Sequence, residues 1–124
     1  MSDEIKAQYD GAEYNPVAKT ISETNIVYFH KLARLCREED ITLYLVMAPM
    51  YDGYIRSVNY DGYADKITEL ADSEGLLYLD CNKHYDEIGL TAQDFEDLYT
   101  SYHHLNKGGA DKVTRFVLKA LYND

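Results

Sequence analysis

Tryptophan is absent and cysteine occurs only twice, at Cys36 and Cys81. Two thiols in unlike contexts, without metal-type spacing between them, point to a reduced pair rather than a disulfide framework. Cations are scarce, with Lys and Arg numbering 12 against 22 Asp and Glu for a net charge of −10. Nucleic-acid binding draws on clustered Lys and Arg, and no basic stripe is visible, so no nucleic-acid partner is expected. No apolar run approaches the roughly 20 residues that span a bilayer. The start, MSDEIKAQYD, has neither a basic opening nor an apolar stretch, so the default placement is the cytoplasm, which a longer exported parent would change.

What is present suits one globular domain. Hydrophobic residues make up 46% of 124, an ordinary share for a packed core. Residues 1–19 are polar, carry Gly11 and Pro16, and show no sustained period, which reads as an extended lead-in. Thr20 with Glu23 three residues on forms a possible capping box, and Ile26, Phe29, Leu32, Ala33 and Cys36 then recur at helical spacing. Ile41 to Met47 runs almost without polar interruption up to Ala48-Pro49, as a parallel strand covered on both faces does.

Met50 to Asn59 reads as a loop leaving that strand. A second helix comes next, with Tyr63, Ile67, Leu70 and Ala71 on one face and Gly75 where a left-handed cap wants glycine. Leu76 to Leu79 is a short second strand ending at Asp80-Cys81. Strand, helix and strand in this span form a βαβ unit with parallel strands and a right-handed crossover. Residues 82–90 read as a loop carrying His84 and Gly89. Thr91 with Asp94 opens a short helix whose Phe95 and Leu98 face inward. A last amphipathic helix starts near Lys107, with Ala110, Val113, Phe116, Val117, Ala120 and Leu121 as its apolar stripe.

The stretch Asp94 to Gly109, DFEDLYTSYHHLNKGG, concentrates acids, paired histidines and glycines before that helix. A base on a loop, backed by a rigid helix, can face a cleft while an acid fixes its tautomer. Taken alone, His103 and His104 also read as polar loop residues near a helix start. A metal set of His84, His103, His104 and Asp97 lacks helix-face or Cys-like ligand spacing, and no metal or cofactor is expected.

Phe95, Asp97, His104-Leu105-Asn106 and Gly109-Ala110 ahead of an amphipathic helix resemble the C-terminal signature of the SGNH (GDSL-like) hydrolases. The resemblance covers roughly Asn25 to Leu121. It implies a three-layer αβα sandwich, flavodoxin-like, around a short and incomplete parallel sheet in a truncated domain. It also implies an acyl-ester hydrolase, of esterase, lipase or carbohydrate O-acyl type, acting on a small acyl ester or acylated carbohydrate. His104 matches the catalytic histidine. The family's aspartate three residues earlier is Ser101 here, which leaves Asp97 as the nearest preceding acid.

The Gly-Asp-Ser block has no counterpart, and none of Ser2, Ser22, Ser57, Ser73 and Ser101 comes after an apolar strand in that context. A base without a nucleophile has nothing to activate. Two readings of different class result: a hydrolase fragment inactive alone, and a non-catalytic SGNH-like binding module. Cys81, at a strand's carboxyl end three residues before His84, is the one alternative nucleophile, set against its reading as a buried small residue. Two strands make a marginal sheet, and a bare apolar edge at 41–47 invites another chain, so a homodimer is expected.

Overall fold

A computed structural model of the chain describes residues 1–10, 21–57, 60–96 and 104–122. The order is α1 (Asp3–Asp10), α2 (Glu23–Glu38), β1 (Tyr44–Met47), α3 (Asp52–Ser57), α4 (Tyr60–Ser73), β2 (Leu77–Asp80), α5 (Tyr85–Ile88) and α6 (Lys107–Tyr122), with single 3₁₀ turns at Cys81–Lys83 and Ala92–Asp94. It is a mixed α/β chain, largely helical around a short parallel sheet.

The N-cap of α2 is Ser22, whose hydroxyl accepts from the Asn25 N–H at 3.1 Å, which places the cap two residues after the expected Thr20. Ala33 and Cys36 are its buried residues. The helix stops where Asp40 takes a left-handed φ of 55° and the Ile41 N–H reaches back to the Cys36 carbonyl at 2.7 Å, a closure that satisfies an otherwise orphaned carbonyl. This tight turn delivers the chain directly into β1.

The two strands pair in parallel, with Tyr44 opposite Leu77 and Met47 opposite Asp80, as the βαβ spacing requires. Side chains alternate between the faces. Leu45 and Tyr78 line one groove with Phe29 of α2 and Leu70 of α4. Leu79 turns the other way, into the cluster of Cys81, Ile88 and Val113 with Phe116 and Val117 of α6. The crossover helix α4 ends as the sequence indicates, with Gly75 at φ 66° and the Leu76 N–H donating to the Ala71 carbonyl at 2.9 Å.

Several stretches differ from the sequence reading. Residues 3–10 are helical rather than extended, while 11–19 lie outside the described residues. The loop expected after β1 contains α3. The loop expected at 82–90 holds a 3₁₀ turn and α5, the latter closed by Gly89 at φ 75°. The short helix after Thr91 is a 3₁₀ turn, and the Thr91–Asp94 capping box is formed. Phe95 is buried, and Leu98 lies outside the described residues. In α6, Val113 is buried and Phe116, Val117 and Leu121 are half-buried, while Ala110 and Ala120 are exposed.

A second cluster gathers Met1, Tyr51 and Phe95 with Tyr85, Ala92 and Leu105. The rings of Tyr51 and Phe95 meet edge to face at 5.6 Å, a favoured aromatic geometry. Leu105 packs against both clusters, so the residue after His104 joins the two parts of the core. Among the described residues no helix is long and apolar enough to cross a membrane.

Candidate functional site

His104 stands on a segment held in place by its neighbours. Phe95 and Leu105 form an antiparallel bridge, and the Glu96 N–H donates to the His104 carbonyl at 2.7 Å. Asn106 organises the start of α6. Its Oδ1 accepts from the Gly109 N–H at 3.0 Å, the N-cap bond that satisfies one free donor of that helix. Its Nδ2 donates to the Gln93 and Phe95 carbonyls at 2.7 and 3.3 Å, and its own N–H donates to the Asp94 carbonyl at 2.9 Å.

Gly109 is buried against Asp94, and a Cβ there would collide with the Asp94 carbonyl oxygen and lie 2.8 Å from Leu105 Cδ2. Only glycine lets α6 start this close. The His-Leu-Asn and Gly-Ala positions therefore act as a latch that fixes the backbone on which the histidine sits.

Asp94 completes the latch. Its Oδ2 accepts from the Thr91 N–H at 2.8 Å and from Lys112 Nζ at 2.9 Å. Burial alone would raise its pKa, and the Lys112 ammonium and the Thr91 donors outweigh that and hold the carboxyl below the usual carboxylate range, as donors to the charged form do. The His104 side chain is exposed. Asp97 and His103 lie outside the described residues, and so does the expected pairing of Asp97 with His104. Among the described residues no group of His, Cys, Asp and Glu could hold a metal ion.

A second polar assembly ties together the carboxyl ends of both strands. Tyr60 OH donates to Asp80 Oδ2 at 2.7 Å. Asn82 donates through its N–H and through Nδ2 to Asp80 Oδ1, each at 3.0 Å, and through Nδ2 to the Tyr60 oxygen at 2.9 Å. Its Oδ1 accepts from the Met50 N–H at 2.8 Å, which links the end of β2 to the chain leaving β1. Burial, then the Asp80 carboxylate, raises the Tyr60 pKa strongly. The same two causes push Tyr78 up to about 12. Sequence reasoning missed this network because its members are brought together across the fold.

Cys81 is fully buried at 0% exposure, and burial, then the Asp80 charge, pushes its thiol up to about 11. A nucleophilic cysteine needs the opposite shift and access to solvent. The residue is core. His84 does not face it as a base: its Nδ1 lies 2.8 Å from Glu87 Oε1, and its ring packs on Phe116 at 5.2 Å.

The described serines are occupied elsewhere in part, Ser22 as a cap and Ser73 through its hydroxyl, which donates to the Leu70 carbonyl at 2.7 Å. A further histidine, His30, meets Glu74 at 2.6 Å. Arg37 and then His30 hold that carboxyl below its usual range. This cluster joins α2 to the turn before β2, the end of the sheet opposite to the one where parallel sheets place their sites.

Two hollows are prominent. An apolar groove of about 270 Å³ runs between α2 and α4 over β1, lined by Ile26, Phe29, Leu45 and Leu70. A polar recess of about 390 Å³ is lined by Lys6, Tyr51, Asp52, Tyr85 and Thr91. Their described linings do not include His104, so neither is assigned to it.

No family model matches the chain, and neither a curated protein nor a solved structure matches it. The class that the geometry defines is α/β with a parallel βαβ core. Function is argued from the site alone, since a fold does not carry one.

Proposed function

We propose that the chain is an SGNH-like hydrolase unit of the acyl-ester class that presents the base, His104, without its own nucleophile, and that it does not turn over esters alone. The observation that carries the reading is the latch of Asn106, Gly109 and Asp94, which holds a histidine backbone at the threshold of a long helix. The three-layer αβα arrangement is part of the proposal. It is supported by the alternation in β1 and β2, with Tyr78 toward the α2 and α4 groove and Leu79 toward α6.

In this reading the substrate is a small acyl ester or acylated carbohydrate and the serine comes from sequence outside these residues. Asp97 is the acid proposed beside His104. The burial and raised pKa of Cys81 favour a second reading for this chain by itself, a non-catalytic SGNH-like module that binds without chemistry.

The test is hydrolysis of a short p-nitrophenyl ester by the purified chain and by His104→Ala. The expected result is equal, background rates. Enzyme-like turnover that is lost in Cys81→Ala or in a serine variant would overturn the proposal by revealing a nucleophile.

A further inference from the structure

The outer side of β1 carries an apolar surface that the fold does not use. Among the described residues β1 pairs only with β2 and none pairs with its other edge, the kind of edge that natural sheets rarely leave bare. Around that edge Tyr28, Leu32 and Leu35 stand at helical spacing on α2 at 63, 50 and 52% exposure, Ile41 comes next at 58%, and Val46 in the strand is at 42%. Tyr122 at 68% closes the far side, where its ring meets that of Tyr44 in β1 at 6.3 Å.

On α2 the exposed stripe is rotated away from His30 and Arg37, the residues that reach Glu74 beside α4. It therefore lies toward the free edge of β1 rather than toward the neighbouring helix.

These six side chains expose on the order of 600 Å² of apolar surface, the upper end of what an ordinary monomer leaves in one patch. Two such faces placed together remove on the order of 1,200 Å², the lower bound of specific interfaces. The chain's −10 charge does not oppose this. The helices flanking the edge carry Lys31, Arg34 and Arg37 against Glu23 and Glu38 on α2, and Lys112, Arg115 and Lys119 with Lys107 against Asp111 alone on α6. The acidic excess sits elsewhere.

We propose that the occupant of this face is a second copy of the chain, related by a two-fold axis that sets β1 antiparallel to its partner and makes one four-stranded sheet. A two-fold contact is self-complementary, so each copy's apolar stripe meets the other's beside the paired edges. This dimer is separate from the hydrolase reading and does not depend on His104.

The test is the solution mass at about 100 μM, a range that detects micromolar association, for the wild type, Leu32→Lys and Val27→Lys. Val27 is exposed like Leu32, at 51%, but adjacent helix positions do not share a face, and it is turned roughly 100° around α2 from Tyr28, toward the His30 side. The wild type and Val27→Lys are expected at twice 14.3 kDa, and Leu32→Lys at the single-chain mass, a weakening of at least tenfold in dimer dissociation constant. Circular dichroism verifies folding, and Tyr28→Lys replaces Leu32→Lys if that variant unfolds. A wild type at 14.3 kDa hands the face to a different partner and overturns the proposal. So does dissociation by Val27→Lys equal to that by Leu32→Lys, or a mass above the dimer.

Discussion

Asp80 and Asp94 are both exposed to only 6%, yet they are stabilised by opposite means. Asp94 meets a cation, Lys112 Nζ at 2.9 Å, along with the Thr91 N–H. Asp80 meets hydrogen-bond donors of Tyr60 and Asn82. A carboxylate taken out of water must be compensated by charge or by several aimed dipoles, and these two aspartates illustrate one solution each.

The difference arises from where each aspartate sits. Asp94 lies beside the first turns of α6, close enough for Lys112 to reach it, and locks a turn. Asp80 lies where two parallel strands end, and its network couples those ends through Asn82 to Met50. Both carboxylates are committed to structural hydrogen bonds.

The comparison is broken most severely at Gly109. A methyl there meets the Asp94 carbonyl and Leu105, so Gly109→Ala gains about 1 kcal/mol of helix propensity and is outweighed by overpacking, typically 1–3 kcal/mol and more where backbone must shift. The expected net loss is about 2 kcal/mol, read as a fall in thermal midpoint of roughly 5–10 °C. An unchanged or raised midpoint would show that α6 does not start against Asp94.

Tyr60→Phe comes next. It removes the donor to Asp80 Oδ2 and the acceptor of Asn82 Nδ2, leaving buried polar groups unsatisfied at a cost of about 1–3 kcal/mol. Urea unfolding measures it, with the midpoint moving and the slope unchanged. A loss indistinguishable from zero would mean that water replaces the hydroxyl.

The smallest effect sharpens the contrast through pH. The folded pKa of Asp94 is depressed below the unfolded value of about 3.9, so its stabilisation is complete above that value and is lost as pH falls through the folded pKa. The stability gap between wild type and Asp94→Asn is therefore expected to be constant from neutral pH down to about 5 and to shrink below about 4. A gap that widens on acidification would contradict the Lys112 pairing.

The parts of the fold legible in the sequence are those set by local chemistry. The apolar run before Ala48-Pro49 and the βαβ spacing give the parallel pair, Gly75 gives the end of α4, and Lys107 marks the start of α6. Helices α1, α3 and α5 were illegible because short segments have little helical stability of their own and depend on tertiary contacts and caps. Thr20 and Ser22 are both good caps by residue type, so the sequence does not by itself distinguish the cap that is used, Ser22, from its neighbour.

The backbone around the candidate site was legible in outline, while the roles of His104 and Asp97 belong to the proposal. The run His104-Leu105-Asn106 marks the latch, but it is Asn106 that does the hydrogen bonding and Gly109 that sets the approach. Asp80, Asn82 and Tyr60 carried no joint signal, because Tyr60 opens the helix of the crossover and meets the other two only once α4 packs back on β2.

The central claim, a positioned base with no nucleophile of its own, is tested most directly by exposing the folded chain to a fluorophosphonate that forms a covalent adduct with activated serines, and then measuring the intact mass. The account predicts an unmodified 14.3 kDa species after reaction for hours. A single stoichiometric adduct, present in the wild type and absent in His104→Ala, would contradict it.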